Sequence, residues 1–422
     1  MRRTLFVAAL LSFAVAPACK RSKEEKPAPT KKKQETPTPT MKPAVTPAMK
    51  SMTVPPVTAK KPTTSPHAGC PHAQGKKRHA GCPYANKGIK AKVFFTRDIT
   101  PEGVLKIYEK IKHGVTGTKI GFKVHFGEVN NITALRPALP EKLVKKLNAT
   151  LIETNVLYVG KRRYTKSHIA LAKKFGWTYA PIHILDADGQ LELDVNFKHY
   201  KKIRVGKGID KYDSLVIFSH FKGHGSAGFG GAIKNVSMGL ASIGGKMAMH
   251  SSDIPRIPHP EKCIMCNKCV KECPASAITL NPVKINKKKC IGCGACIGVC
   301  PLRLFKVPWG STKKNVFHER LVEYARGIAM RKNMVYINVL KNITRGCDCK
   351  RMPQIPFTRD IGILASTDML AIDKASFDLV NKQHKCKDCF KKEVGVSPNV
   401  QFEYGKIIKL GTTDYELVTI DK

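Results

Sequence analysis

The sequence predicts an α/β protein: a mainly parallel sheet covered by helices, interrupted by a small cysteine-dense α+β insertion and preceded by a disordered N-terminal tail. Three observations carry this expectation. From residue 91 onward, short apolar runs of strand length alternate with segments whose apolar residues recur at helical spacing, the pattern of parallel strands joined by crossover helices. Eight cysteines crowd into residues 254–310, in the middle of that alternation. Residues 20–90 hold 12 of the 27 prolines and carry 16 basic against 3 acidic side chains. Such a composition buries too little apolar surface to offset its ordering entropy.

Taken in order, residues 92–95 read as a strand. Thr100-Pro101-Glu102 then opens a capped helix with Val104, Leu105, Ile107, Tyr108 and Ile111 at helical spacing. Strands are expected at 121–126, 149–157, 182–185 and 213–219, and helices at 140–147 and 165–175. Beyond the cysteine block come a helix at 316–330, strands at 334–339 and 361–365, and a helix at 369–380. The expected organisation is a signal segment over 1–19, a tether over 20–90, the first part of the α/β domain over 91–253, the insertion over 254–310 and the second part over 311–422.

At the start, Arg2 and Arg3 precede an apolar run from Leu5 to Val15 and then Ala16-Pro17-Ala18-Cys19, which describes an export signal. Ala16 and Ala18 suit ordinary cleavage, whereas Cys19 suits lipid attachment to a new N-terminal cysteine. The lipoprotein route is favoured, because the next 70 residues read as a tether and an anchored protein needs one. The arginine pair also resembles a twin-arginine signal, a route that carries folded proteins. Within the tether, His67-Ala-Gly-Cys70-Pro and His79-Ala-Gly-Cys82-Pro form a repeat, read either as metal ligands or as duplicated low-complexity sequence. Beyond the signal, no apolar run reaches the roughly 20 residues a membrane-spanning helix needs. The net charge of +43 favours acidic partners, anionic headgroups or phosphorylated ligands. No nucleic-acid recognition motif accompanies it.

Among the 15 cysteines, eight form C-x2-C-x2-C-x3-C-P twice, with a constant offset of 27 residues. Two-residue spacers let three thiolates converge on one iron–sulfur cubane, and the fourth cysteine of each run ligates the other cluster. The expected cofactors are therefore two [4Fe–4S] clusters in a ferredoxin-like fold. One is held by Cys263, Cys266, Cys269 and Cys300, the other by Cys290, Cys293, Cys296 and Cys273. Cys347, Cys349, Cys386 and Cys389 form a second constellation with two readings. One is a four-thiolate site for zinc or a third cluster; the other is redox chemistry or a disulfide at Cys386 and Cys389.

Polar residues gather where the expected parallel strands end, which is where such sheets bind ligands. His125, Glu128 and Arg136 follow one strand, Asn155 and Tyr158 another, Asp186 and Asp188 a third. His220, Lys222 and His224 follow a fourth, leading into a Gly-rich turn that ends near Lys234 and could cradle an anion with backbone N–H groups. That turn matches neither a Walker pattern nor a dinucleotide fingerprint.

Over residues 91–421 the chain resembles the domain-of-unknown-function 362 family. The resemblance rests on Lys123-Val-His-Phe-Gly-Glu128, Leu157-Tyr-Val-Gly160, Gly228-Phe-Gly-Gly-Ala-Ile-Lys-Asn235, the doubled cysteine motif and Cys347-Asp-Cys349. Asp360-Ile-Gly-Ile-Leu-Ala365 and Ala371-Ile-Asp-Lys374 complete it. It implies an iron–sulfur protein and supplies no catalytic residues. The His- and Gly-rich loop also resembles the nickel-dependent racemase family on a few residues. The expected function is an iron–sulfur electron-transfer protein or oxidoreductase component. Its clusters would relay electrons to or from a ligand or redox partner at the α/β domain. The alternatives are a non-redox metal- or anion-binding enzyme with structural clusters, and a surface-anchored binding module.

Overall fold

The computed structural model describes residues 90–421; the export signal with Cys19 and the His–Cys repeat lie outside the described residues. The chain opens with β1 (Ala91–Thr96) and α1 (Pro101–Glu109). Thr100 starts this helix by accepting the Gly103 N–H at 3.1 Å, which satisfies one of the donors every helix start leaves over. Then follow β2 (Ile120–Lys123), α2 (Ala138–Lys146), β3 (Thr150–Glu153), α3 (Thr165–Lys174) and β4 (Ile182–Ile184). The hairpin of β5 (Gln190–Asp194) and β6 (Lys202–Gly206) comes next, then the central β7 (Ser214–His220) and a tight hairpin of β8 (Lys222–His224) and β9 (Gly228–Gly230). Two helices, α4 (Ala232–Leu240) and α5 (Ile243–His250), lead to the cysteine block.

That block holds α6 (Lys268–Lys271), a two-residue pairing of β10 (Ile278–Thr279) with β11 (Lys284–Ile285), and α7 (Ala295–Val299). The chain then re-enters the main body through α8 (Lys314–Ala329), β12 (Asn333–Leu340), β13 (Gly362–Ser366) and α9 (Met369–Gln383). It closes with α10 (Cys389–Val394), α11 (Asn399–Ile407) and β14 (Tyr415–Thr419).

Eight strands form one sheet in the order β14-β1-β13-β12-β7-β2-β3-β4. All neighbours are parallel except β13, which runs antiparallel to both β1 and β12. Alternate side chains feed two cores. Leu215 and Ile217 of β7 pack with α4, α8 and α9, whereas Val216 and Phe218 face α1 and α2. Burial on both faces explains why these strands read as unbroken apolar runs. Among the described residues no helix is long and apolar enough to cross a membrane.

Two strands are shorter than their apolar runs predict. β3 stops at Glu153, beyond which the chain is held by hydrogen bonds that involve side chains rather than by the ladder. The Asn155 N–H donates to Asp186 Oδ1 at 2.9 Å, and Thr154 Oγ1 donates to Gly239 O at 3.0 Å. β2 likewise ends at Lys123, and the buried residues that follow turn into the site. β14 has no buried side chain and corresponds to no strand expected from the sequence, nor do the two short hairpins β5–β6 and β8–β9.

Candidate functional site

The parallel strands β2, β3, β4, β7 and β12 direct their carboxyl ends to one edge of the sheet. The order of the chain reverses between β2 and β7, since β3 and β4 lie beyond one and β12 beyond the other. Crossovers leave a crevice at such a switch point. A cavity of about 820 Å³ occupies it. Its floor comes from the ends of β2, β3 and β7, its sides from β8 and α4, and its rim from Trp309, Lys313 and Lys314, where the chain leaves the cysteine block for α8.

Eight basic side chains and a single carboxylate, Glu153, line the cavity. Glu153 ends β3 with both oxygens engaged. Lys123 Nζ donates to Oε1 at 3.1 Å and Arg162 Nη2 to Oε2 at 2.5 Å, and none of the three side chains is more than 3% exposed. Lys123 also donates to Asn235 Oδ1 at 2.8 Å, tying the floor to α4. This approach requires Gly239, because a Cβ there would stand 2.6 Å from Lys123 Nζ. Among the described residues Lys234, Lys246, Lys313 and Lys314 have no ion-pair partner, so the field in the cavity is positive.

Lys246 of α5 donates to Thr154 Oγ1 at 2.5 Å and to Ala241 O at 2.7 Å. Burial pushes its ammonium down to about 8, against the pull of Asp186 and Glu153. Affinity for a small dianion such as phosphate is expected to fall as pH rises through about 8, where this charge is lost. In Lys246→Met that inflection disappears, and calorimetric titration from about pH 7 to about pH 9 checks both statements.

Three histidines face the same space as neutral rings. Burial, aided by the Arg162 charge, holds His125 well below its ordinary value, and Arg162 Nη1 donates to its Nε2 at 3.0 Å. Burial, then the charge of Lys234, does the same for His224. Burial takes His250 down to about 3, where it stacks on Phe317 at 4.9 Å. As neutral rings these histidines add no charge to the cavity.

Against the end of β7 lies the turn Cys347-Asp348-Cys349, closed by the Lys350 N–H on Cys347 O at 3.0 Å. Asp348 is 1% exposed; His220 Nδ1 donates to it at 3.0 Å and Lys222 Nζ lies 3.1 Å away. Both cysteines open on the cavity.

Of the residues the sequence singled out, His125, His220, Lys222, His224 and Lys234 line the cavity together with Tyr158. Glu128 sits behind the wall, fully buried, accepting the Tyr158 hydroxyl at 3.2 Å. Arg136 and Asp188 are outside the lining, and Asp188 pairs with His183 and Lys211 on the flank of the sheet. The expected anion cradle at the start of α4 is filled by the protein itself. Asp373 accepts the Ala232 and Ile233 N–H groups at 2.7 and 2.9 Å. The four-cysteine site is also corrected. Cys386 and Cys389 are disulfide-bonded to each other, and only Cys347 and Cys349 reach the cavity. Among the described residues no three His, Cys, Asp or Glu side chains converge as one ion requires.

The sequence reading overlooked Lys123, Glu153, Arg162 and Lys246 as site residues. Lys123 and Glu153 did carry a signal, a charge at the end of an otherwise apolar strand.

In the cysteine block Cys263, Cys266, Cys269 and Cys300 surround one small apolar cavity, and Cys273, Cys290, Cys293 and Cys296 surround another. All eight thiols are unpaired. The two halves repeat in backbone as in sequence. Left-handed conformations at Met265, Asn267 and Ser276 recur at Gly292, Gly294 and Arg303. The Ala277 N–H points at Cys273 Sγ (3.2 Å) and the Leu304 N–H at Cys300 Sγ (3.4 Å). Burial and the neighbouring thiols push Cys296 up to about 12. Crowded thiols of this kind ionise when a bound metal takes up their charge, so four thiols about each apolar cavity are the donor set a cubane would need, although no three of them stand close enough together to hold a single ion.

No curated protein matches the sequence. Two solved structures are similar at a distance. The lactate racemase apoprotein from Thermoanaerobacterium thermosaccharolyticum shares 14% identity, covering 60% of this chain and 51% of that one at a TM-score of 0.30. A protein from Thermotoga maritima shares 11%, covering 68% and 60% at 0.34. The chain thus spans about half of the first and three-fifths of the second. The family described as Domain of unknown function (DUF362) matches residues 120–378, more than half of the chain. This protein belongs to the DUF362 family.

Proposed function

We propose that this is an iron–sulfur redox protein in which Cys263, Cys266, Cys269 and Cys300 hold one [4Fe–4S] cluster and Cys290, Cys293, Cys296 and Cys273 a second. In this reading electrons pass between the clusters and a small anionic ligand, or a redox partner, at the basic cavity. Each bound cluster supplies a one-electron centre whose potential its surroundings set. One observation carries the reading: a single wall separates the cavity from the cysteines. Leu157 lines the cavity and also packs in the apolar cluster that contains Cys269 and Cys296. A Cβ on Gly294 would touch Leu157 Cδ1 at 3.2 Å. Arg163 locks the two sides, donating to Leu157 O at 2.9 Å and to Gly294 O at 2.8 Å. Ligand recognition falls to Lys234, Lys246 and the rim lysines, with the neutral histidines beside them as hydrogen-bonding groups.

Anaerobically prepared full-length protein is expected to carry about eight iron and eight labile sulfide per chain, as two cubanes require. Paramagnetic resonance of the reduced protein should show two interacting centres, and Cys290→Ser should remove or convert one of them. Phosphate or succinate binding in the cavity should alter that spectrum. Colourless protein without sulfide would end the proposal. Clusters whose spectrum and reduction ignore a bound anion would make them structural and leave a non-redox anion-binding protein.

A further inference from the structure

We infer that Cys347 and Cys349 form a redox-active dithiol at the cavity wall, one that reduces small anionic disulfides. The inference rests on the proposed function for one element alone, the supply of electrons that returns the pair to its reduced form.

The geometry is that of a held pair rather than of two stray thiols. Both cysteines belong to one β-turn, closed by Lys350 N–H on Cys347 O, which folds the first and third residues towards each other. The Cys349 N–H points at Cys347 Sγ at 3.4 Å. The turn is fixed on every side: the Asp348 carboxylate by His220 and Lys222, the Asp348 carbonyl by Asn131 Nδ2 at 3.3 Å, and the Cys347 carbonyl by Gln354 Nε2 at 3.2 Å. A nucleophile needs this fixed placement. The thiols share a proton unequally. A hydrogen bond from Cys349 holds Cys347 well below the ordinary thiol value; burial opposes this, and Lys234 and Lys222 add to it. Cys349 is pushed well above by the same bond and by burial. One thiolate beside one thiol is the arrangement thiol–disulfide exchange uses.

The chemistry of the substrate follows from the surroundings. A disulfide entering here meets Lys234, Lys246 and Lys313 and no unpaired carboxylate, so a negatively charged one is favoured. The Cys347 thiolate attacks one sulfur of R–S–S–R; the S–S bond breaks and one RS⁻ leaves. Cys349 gives its proton to that leaving group and attacks Cys347 Sγ, expelling the second RS⁻. The products are RSH, RS⁻ and a Cys347–Cys349 disulfide. Two electrons and one proton restore the thiolate and thiol. They come from a low-potential one-electron donor acting through the cysteine block, or from a soluble dithiol in the test tube.

The test uses holoprotein reduced with dithiothreitol, freed of it anaerobically, and mixed with dithiobis(nitrobenzoate), which is dianionic, or with neutral dithiodipyridine. Peptide-resolved mass spectrometry then reads Cys347 and Cys349 separately from the other cysteines. The expected result is an internal Cys347–Cys349 disulfide, and a stable mixed disulfide on Cys347 in Cys349→Ser. Relative to free cysteine, the anionic reagent should be preferred by about tenfold, a preference that shrinks in Lys234→Gln. Both thiols remaining free in folded wild-type holoprotein would overturn the inference while leaving the cluster reading intact. An adduct on Cys347 that never closes to Cys349 would also overturn it. Full exchange in protein lacking iron and sulfide would support the dithiol and sink the cluster reading instead.

Discussion

Glu153→Ala is expected to lower the stability of the folded protein by about 3–5 kcal/mol, the cost of removing one partner from a buried charged network. The carboxylate stands between Lys123 and Arg162, and all three side chains are essentially out of water. Its removal strands two cations. Lys123 can relieve its share by losing a proton, since burial already draws its value down against the pull of Glu153. Arg162 has no such exit, because a guanidinium stays charged in proteins. Glu153→Gln keeps the shape and one acceptor and should cost less than Ala. Urea denaturation reads both as a fall in midpoint at unchanged slope. The pH dependence has a definite sign. Burial raises the Glu153 value, but Lys123 and Arg162 outweigh it and hold the carboxyl well below its ordinary range. Its stabilisation is therefore complete above the unfolded value near 4.5 and is lost as pH falls toward the folded one. In Glu153→Gln that contribution to acid unfolding should vanish. A loss below about 1 kcal/mol for Ala would mean that water reaches the triad.

Why Glu153 escaped the sequence reading shows what a sequence can carry. Apolar periodicity made the central strands and the helices α1, α2, α3, α8 and α9 legible, because burial on both faces leaves a repeat in the residues themselves. The end of β7 was legible for the same reason, and with it His220, Lys222 and His224, whereas β2 and β3 stop before their apolar runs do. An inward charge has no such pattern, since its meaning lies in a partner elsewhere. Glu153 is explained by Arg162 on a later loop and Lys123 on another strand. The Gly-rich turn failed similarly: its free N–H groups are taken by Asp373, about 140 residues further along the chain. Arg136 instead precedes α2, where its carbonyl accepts the Leu139 N–H, and it is not among the residues that line the cavity.

The same dependence on distant partners makes Asp348 the second large effect, and here stability and ligand binding should move in opposite directions. Asp348→Asn keeps the side-chain shape but removes the charge that faces His220 and Lys222. With 1% exposure the expected loss is about 2–4 kcal/mol, and more for Ala, which also vacates the space. Burial disfavours the Asp348 charge, but the charges of His220 and Lys222 prevail and hold the carboxyl well below its usual range. Its contribution is thus present above the unfolded value near 3.8 and declines on acidification below it. Lys222, released from its counter-ion, still lines the cavity and would add an uncompensated positive charge. Phosphate should then bind roughly three- to tenfold more tightly to folded Asp348→Asn than to the parent, although the variant unfolds at lower urea. Calorimetry at low ionic strength, set beside denaturation of the same samples, separates the two effects. Phosphate binding that weakens in step with stability would mean that Asp348 holds the shape of the cavity rather than tempering its charge.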